Sequence, residues 1–266
     1  MLTQAVTGKL TEEWRTKNLL IDKVILKELT KKSRHDVQEI KADEILVEIP
    51  ETWLWSRLGS VAELINGDRG KNYPNVKEYV KNGIPFINTG HIELDGKLSI
   101  EYMNYISREK FNSLGGGKIV KDDLVYCLRG ATIGKTAFVN QFSEGAIASS
   151  LVIIRYSQQV VTKYGYYFLI SSLGKDLINR FLNGTAQPNL AASSVKNYTF
   201  PLPPIEEQLE IVRRAESLFA VADRIEASYN TLQEKIDHLP QAILAKAFRG
   251  ELVKSNAGEA VLVQDQ

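Results

Sequence analysis

Apolar residues recur in steps of three and four toward the C-terminus of the chain. The stripe consists of Ile211, Ala215, Leu218, Ala222, Ile225, Tyr229, Leu232, Ile236 and Leu239. It follows Pro201, Pro203 and Pro204 and two acidic residues, a composition typical of a helix start. We therefore predict a helix from residue 205 to 238, about 51 Å long at ~1.5 Å per residue, and a short further helix over 241–248 after a break at Pro240.

This stripe has the spacing of a coiled-coil seam. A single amphipathic helix cannot bury its own seam, so the pattern predicts that a second helix packs against it. The residues expected to make that dimer contact are Ile211, Leu218, Ile225, Tyr229, Leu232 and Ile236.

The middle of the chain has short runs rich in β-formers, separated by Gly, Asn and Asp. The predicted strands are 53–57, 84–88, 123–128, 135–139 and 146–156, and residues 164–182 have helical spacing instead. The expected fold class is α+β, with a mixed domain over residues 49–200 and the helical region over 201–250. Residues 1–48 are predicted to be a charged tether with a helix from Trp14 to Leu29, and 251–266 a tail.

Composition narrows the possible chemistry of the 266 residues. One cysteine, Cys127, cannot form an internal disulfide, and three scattered histidines lack metal-site spacing, so no structural zinc is expected. Apolar runs fall short of the roughly 18 to 20 residues of a membrane span, and the N-terminus does not resemble a signal peptide. We expect a cytoplasmic protein without a membrane partner.

Charge is distributed unevenly along the chain. Residues 49–200 carry 17 basic and 12 acidic side chains, whereas residues 201–266 carry seven basic and eleven acidic ones. A basic domain beside an acidic helix is typical of a polyanion-binding module joined to a protein-contact element. Uneven charge also occurs without such a function, so the charge alone leaves both interpretations open.

The sequence does not contain a convincing catalytic motif. Gly130-Ala-Thr-Ile-Gly-Lys-Thr136 has three residues between its glycines where a phosphate-binding P-loop needs four. Gly115-Gly-Gly117 is better explained as a permissive turn, and Asp122-Asp123 as a turn before a strand. A nucleophile-elbow serine and a methyltransferase motif are missing as well, so we expect no catalytic residues and no metal site.

A short repeat links the two ends of the chain. Leu2-Thr-Gln-Ala-Val-Thr-Gly-Lys-Leu10 aligns with Leu244-Ala-Lys-Ala-Phe-Arg-Gly-Glu-Leu252, with Leu, Ala, Gly and Leu identical at a separation of 242 residues. Such a repeat is expected of half of a tandemly duplicated protein, although four identities also arise by chance.

Two segments carry a family resemblance: Asn183-Gly-Thr-Ala-Gln-Pro-Asn189 and Pro201-Leu-Pro-Pro-Ile-Glu-Glu-Gln208. They resemble the turn and the spacer-helix start of the specificity subunits of Type I restriction-modification systems. Gly83-Ile-Pro-Phe-Ile-Asn-Thr-Gly90 and Trp53-Leu-Trp-Ser-Arg-Leu-Gly59 are similar to other parts of that family. Its members usually carry two recognition domains and two antiparallel spacer helices, so this chain resembles a half-size form, either a natural single-domain subunit or a fragment.

The resemblance implies a non-catalytic subunit that directs adenine methylation and restriction to a bipartite target in double-stranded DNA. It also implies a modification subunit with S-adenosylmethionine, a restriction subunit with ATP and Mg²⁺, and a second half-size chain or copy as partners. The candidates for DNA contact lie in polar loops between strands. The expected phosphate contacts are Arg69, Lys71, Arg129 and Lys135, the expected base contacts are Asn72, Tyr73, Asn88, Thr89 and His91, and Thr132 is a further DNA contact.

The same resemblance suggests Trp14 and Phe248 as contacts for the modification subunit, and assigns Gln187 and Pro188 to a structural turn. Two other functions stay open from the residues alone. One is a coiled-coil scaffold whose domain binds protein. Salt dependence separates it from a DNA-binding protein, because phosphate contacts make DNA affinity fall steeply with salt. The other is a stand-alone nuclease or methyltransferase, against which the missing motifs argue.

Overall fold

A computed structural model describes residues 1–18, 39–182 and 189–252. Its strands are β1 Leu54–Arg57, β2 Ala62–Asn66, β3 Tyr79–Val80, β4 Ile84–Ile87, β5 Asn104–Ile106, β6 Lys118–Ile119, β7 Leu124–Cys127, β8 Thr136–Phe138, β9 Gly145–Ile147, β10 Leu151–Tyr156 and β11 Thr199–Leu202. Its α-helices are α1 Leu2–Val6, α2 Glu12–Lys17, α3 Leu58–Val61, α4 Arg108–Ser113, α5 Thr162–Ile170, α6 Ser172–Phe181, α7 Ala192–Lys196 and α8 Ile205–Phe248. The mixed α+β class is therefore confirmed.

The strands form three sheets. One has the order β2-β10-β7-β8 and is antiparallel throughout, the second has the order β3-β5-β4-β9-β6, and β1 pairs with β11 in the third. The only parallel pair among the described strands is β4 with β9. Ile87, Val125, Ile147 and Ile153 meet in one buried cluster between the two larger sheets.

Strand β4 is buried on both faces, which explains its apolar sequence. Ile84 and Phe86 join a second cluster with Phe111 of α4, while Ile87 contributes to the cluster between the sheets. Alternate residues of a strand point to opposite faces, so β4 joins both clusters and its sheet lies between the other large sheet and α4.

Two predicted elements are each divided in the structure. The strand expected over 146–156 is β9 and β10, separated by residues 148–150, where the chain passes from one sheet to the other. The helix expected over 164–182 is α5 and α6, separated at Ser171, whose hydroxyl donates to the Phe168 carbonyl and accepts from the Gly174 amide. Apolar spacing continues across both breaks, so the pattern does not reveal them.

The chain forms two compact units, Met1–Ala215 and Glu216–Gln266. The described residues of 1–48, which we expected to belong to a tether, lie in the first unit, and Ala5, Val6 and Thr11 are fully buried there. The predicted helix from Trp14 is observed as Glu12–Lys17, and its remainder falls outside the described residues. The first compact unit therefore extends on both sides of the predicted range 49–200.

A buried carboxylate fixes the start of α8. Glu207 accepts hydrogen bonds from Thr11 Oγ1 at 2.7 Å, from Arg15 Nη2 at 2.8 Å and from Trp53 Nε1 at 2.8 Å. The next residue, Gln208, accepts from the Val161 amide and donates to the carbonyls of Gln159 and Pro203. The Glu-Gln pair thus joins the N-terminal segment, the entrance to β1 and the end of β10 to the helix.

Helix α8 continues through Pro240, so the predicted break there is wrong. Proline removes one helical hydrogen bond, to the carbonyl of Ile236. The residues around Pro240 are exposed. In the two repeated segments, Gly8 and Gly250 each lie two residues after the end of a helix and have left-handed φ values of 79° and 73°.

Replacing Glu207 by alanine is expected to lower the free energy of unfolding by about 3 kcal/mol, because Arg15 loses the carboxylate that balances its charge. The neighbouring exposed Glu206→Ala is the matched control and is expected to change stability by about 0.5 kcal/mol. Urea unfolding of both variants measures the difference. Equal midpoints for the two variants would contradict the role of Glu207.

Candidate nucleic-acid interface

The residues predicted to contact DNA lie in three loops at the same end of the strands of the two large sheets. Loop 67–73 follows β2, loop 88–91 follows β4, and loop 128–135 joins β7 to β8. The strand register pairs Asn66 with Val152, and Leu151 with Cys127, so the end of β2, the start of β10 and the end of β7 are adjacent. We call these three loops together with residues 147–150 the loop edge.

Residues 147–150 form the centre of the loop edge. The Ala148 amide donates to the Ile87 carbonyl at 2.7 Å, and the Ser150 carbonyl accepts from the Leu128 amide at 2.9 Å. Gly67 approaches the same segment so closely that a Cβ there would lie 2.6 Å from the Ala148 carbonyl oxygen. One short crossover therefore joins all three loops into a continuous surface.

Loop 67–73 presents two exposed cations, Arg69 and Lys71. Asn72 is half-buried, and its Nδ2 donates to the Ser113 carbonyl at 2.8 Å, so its Oδ1 is the atom placed to meet a ligand. The Tyr73 ring packs edge-on against Phe86 at a centroid distance of 5.7 Å. The Tyr73 ring is thus part of the packing of the domain. Arg69 and Lys71 supply the positive charge of the loop.

Loop 128–135 adds a third exposed cation, Arg129. Thr132 Oγ1 lies 3.4 Å from Cys127 Sγ, and Lys135 Nζ donates to the Ile92 carbonyl at 3.4 Å, which links this loop to the chain that follows β4. Arg129 also pairs with Asn189 in an isolated antiparallel bridge. Residues 183–188, with the predicted Gln187-Pro188 turn, lie outside the described residues.

Loop 88–91 contains one residue that the structure withdraws from direct contact. His91 is 4% exposed, its Nδ1 accepts from the Asn88 amide at 3.0 Å, and its Nε2 lies 3.0 Å from the Tyr102 carbonyl. Both ring nitrogens are engaged, so our expectation that His91 reads bases is corrected to a structural role. Asn88 and Thr89 stay half-buried at the surface, and Asn88 Oδ1 accepts from the Gly90 amide.

Sequence reasoning missed Ser149 and Ser150, which lie half-buried at the centre of the loop edge. Their hydroxyls are chemically able to donate to or accept from base edges. The apolar run around them predicts an uninterrupted strand, and only the crossover between the sheets exposes them.

Other predicted features fall away from the loop edge. Asp122 and Asp123 lie in the turn between β6 and β7 at the opposite end of the strands, and buried Asp123 accepts from Arg155 at 2.8 Å. Gly130-Ala-Thr132 is a single 3₁₀ turn that leads to β8, with strand where a P-loop needs helix. Within residues 1–18, 39–182 and 189–252, no group of His, Cys, Asp and Glu is arranged to hold a metal ion.

The predicted seam of α8 is divided between two environments. Ile211 is fully buried in the first compact unit, as is Ala215, so Ile211 is unavailable to a second helix and our expectation for it is corrected. The remaining seam residues are between 43% and 65% exposed: Leu218, Ile225, Tyr229, Leu232 and Ile236. Of the two candidate contacts for a modification subunit, Trp14 is half-buried and Phe248 is 89% exposed.

In the described part of the chain, no helix has both the length and the apolarity to cross a bilayer. The family comparison matches residues 50–234 to the Type I restriction modification DNA specificity domain. This match covers the loop edge and the first part of α8. The chain therefore belongs to the family of Type I restriction-modification DNA specificity domains.

Particular relatives agree with this family. The chain is 33% identical over 255 residues to the Type I restriction enzyme EcoBI specificity subunit of Escherichia coli, covering 95% of this chain and 49% of that protein. It is 29% identical over 264 residues to the EcoDI specificity subunit of Escherichia coli, covering 95% of this chain and 52% of that protein. The chain thus spans about half the length of these curated relatives.

Solved structures share the fold. A chain from a study of complex assembly and conformational transition of the type I R-M system superposes with a TM-score of 0.61 at 22% identity, covering 93% of this chain and 57% of that chain. The HsdS subunit from Thermoanaerobacter tengcongensis gives a TM-score of 0.58 at 22% identity, with coverage of 93% and 56%.

The environment of His91 predicts a pH dependence of stability. Burial lowers the pKa of His91 below its ordinary value of 6.5. Protonation of Nδ1 would also place two hydrogen-bond donors, the new N–H and the Asn88 N–H, against each other. The unfolded chain therefore binds this proton first, so the stabilisation is complete above pH 6.5 and is lost as pH falls toward the folded pKa.

Unfolding free energies measured between pH 7.5 and 5.0 are expected to fall with acidification by up to about 1.4 kcal/mol per pH unit from this one group. His91→Gln, which does not titrate, is expected to have a smaller slope. His238→Gln, the same substitution at an exposed position of α8, serves as the control. Identical slopes for wild type and His91→Gln would contradict the structural role of His91.

Proposed function

We propose that this chain is a DNA-recognition half of a Type I specificity subunit and that the loop edge contacts double-stranded DNA. The observation that carries this proposal is the convergence of three exposed cations on one edge of a domain from a DNA specificity family: Arg69, Lys71 and Arg129. Guanidinium and ammonium groups bind phosphates, which holds a protein on the duplex without reading its sequence.

Base reading falls to the shorter polar groups between these cations. Amides and hydroxyls form directional hydrogen bonds to base edges, which the major groove presents in a distinct pattern for each base pair. We assign this task to Asn72 through Oδ1, to Asn88, Thr89 and Thr132, and to the serines of residues 147–150. Lys135 is held near Ile92 and supplies a further positive charge.

Catalysis belongs to partner subunits in this proposal. The modification subunit would bind S-adenosylmethionine and methylate adenine, and the restriction subunit would use ATP and Mg²⁺. This chain would supply the target sequence and bind neither cofactor. Phe248 and Trp14 are our candidates for contact with the modification subunit, since Phe248 exposes an aromatic ring to solvent.

A second recognition domain is required for a bipartite target. We propose that the exposed seam of α8 packs against the same seam of a second copy or of another half-size chain, in an antiparallel arrangement. Residues 216–248 span about 50 Å at ~1.5 Å per residue, which exceeds the ~34 Å of one turn of DNA. The helix pair would therefore set the distance between two half-sites.

Expression of the chain with a Type I modification subunit in a host that lacks other specificity subunits is expected to produce a new bipartite N6-methyladenine motif. Methylation-sensitive sequencing of the host genome reads the motif directly. An interrupted palindrome would indicate two identical copies, because a two-fold axis relates their half-sites. No motif from a modification subunit that is active with another specificity chain would contradict the proposed function.

A charge placed in the seam tests the helix contact. Ile225→Asp is expected to shift the chain from dimer to monomer, because an unpaired carboxylate would have to be buried between helices. Ala227→Asp adds the same charge outside the seam and is expected to leave the dimer intact. Light scattering after size exclusion measures the mass of each variant, and a wild-type mass equal to one chain would refute self-association.

A further inference from the structure

Asp68 is an acidic residue inside the basic loop 67–73, and both of its carboxylate oxygens are bound. Oδ1 accepts from the Gly70 amide at 2.7 Å, and Oδ2 accepts from the Gly115 amide at 2.7 Å. The first bond closes the loop that carries Arg69. The second joins this loop to the turn after α4, which is 47 residues away in sequence.

Asn72 makes a similar connection, because its Nδ2 donates to the carbonyl of Ser113, the last residue of α4. Asp68 and Asn72 lie on either side of Arg69 and Lys71 in the sequence. The two cations are therefore carried by a loop that is fastened to its neighbour on both sides of them.

The glycine run Gly115-Gly-Gly117 makes this contact sterically possible. Gly117 has a φ of +70°, and a Cβ there would lie 2.7 Å from the Cα of Gly67. A Cβ at Gly115 would lie 3.5 Å from Asp68 Oδ2, an ordinary van der Waals distance. The glycine run thus brings the backbones of residues 67 and 117 together, and its Gly115 amide donates to Asp68. The sequence pattern alone predicts only a permissive turn for this run.

The charge of Asp68 is maintained by the same bonds. Hydrogen bonds from the Gly70 and Gly115 amides lower the pKa of Asp68 below its ordinary value of 3.8, so the carboxylate is ionised at neutral pH. A bare carboxylate in a phosphate-binding loop would repel DNA. Here each carboxylate oxygen accepts a backbone amide instead, and these two bonds fix the backbone of the loop that carries Arg69 and Lys71.

We propose that Asp68 is a positioning residue that holds Arg69 and Lys71 in place for DNA phosphates. This inference rests on the proposed DNA-binding function and adds to it the residue that prepares the loop before DNA arrives. Preorganisation of this kind improves binding because the loop loses less conformational freedom when the complex forms.

Removal of the charge gives opposite results for the two roles that an acidic residue can have at this surface. If Asp68 acts only through its charge, Asp68→Ala and Asp68→Asn bind DNA more tightly than the wild type. If Asp68 positions the loop, both bind more weakly, and Asp68→Asn retains more affinity because its one carbonyl oxygen still accepts an amide. We expect a loss of about tenfold for Asp68→Ala, from the typical energy of hydrogen bonds to charged groups.

The measurement is the affinity of the full chain for a labelled duplex of mixed sequence at several salt concentrations. Each lost phosphate contact reduces the slope of log K against log salt by about 0.9, so loss of both cations from the interface lowers the slope of Asp68→Ala by up to about 1.8. Asp122→Asn removes an equal charge at the opposite end of the strands, where its left-handed φ of 69° suits asparagine, and is expected to retain the wild-type slope.

A second pair of variants leaves the charge unchanged. Gly115→Pro removes the backbone N–H that donates to Asp68 Oδ2. The preceding Leu114 already has φ −69° and ψ 131°, a conformation that a following proline tolerates. Gly115→Ala keeps the amide. Gly115→Pro is expected to bind DNA more weakly and with a smaller salt slope than Gly115→Ala, and melting temperatures of all variants establish that each is folded.

Two results would overturn the inference. In the first, the wild type binds DNA with a steep salt slope, and folded Asp68→Ala binds equally well or better, so the proposed function survives and Asp68 loses its role. In the second, the wild-type chain shows no salt-dependent binding, and the proposed function fails together with the inference. Weaker binding of Asp68→Ala with a smaller slope, beside an unchanged Asp122→Asn, supports it.

Discussion

The fold of the first compact unit depends on one buried carboxylate, Glu207. A buried charge is tolerated only where hydrogen bonds and an opposite charge replace its hydration, and here Thr11, Arg15 and Trp53 supply them. These donors come from the N-terminal segment and from the entrance to β1, which the sequence separates from α8 by more than a hundred residues. Satisfying one charge therefore brings the beginning, the middle and the helical end of the domain together, and Arg15 extends the network by donating to the Gly8 carbonyl at 2.5 Å.

This anchor and the loop edge lie at opposite ends of the same strands. Strand β10 begins at Leu151 beside the loop edge and ends at Tyr156, and Gln208 binds Gln159 and Val161 shortly after that end. The start of the long helix is thus fixed at one end of the domain, while polar loops leave the other. The loops contribute none of the donors to Glu207, which come from Thr11, Arg15 and Trp53. Such a division lets loops differ in sequence on an unchanged framework.

Local patterns predicted the elements of the fold, and distant contacts decided the rest. The start of α8 follows from prolines, acidic residues and a heptad spacing, all within one stretch of sequence. The division of 146–156 into two strands does not, because apolar residues continue while the chain changes sheets. Loop polarity correctly suggested exposed cations such as Arg69, but His91 has the same local character and is buried by its bonds to the Asn88 amide and the Tyr102 carbonyl. Burial of that kind depends on a partner eleven residues away, which no periodicity encodes.

The loop edge also illustrates a conflict that any phosphate-binding surface must resolve. Cations gathered for a polyanion repel one another while the ligand is absent, and the resulting disorder reduces the affinity that their charge provides. An acid placed among them relieves the repulsion, yet an exposed acid would oppose the ligand. Asp68 is the acid in this loop, and each of its oxygens accepts one backbone amide, from Gly70 and from Gly115. At residue 117 a Cβ would lie 2.7 Å from the Gly67 Cα, so glycine is needed there for the two backbones to come so close, and the same turn presents the Gly115 amide to Asp68.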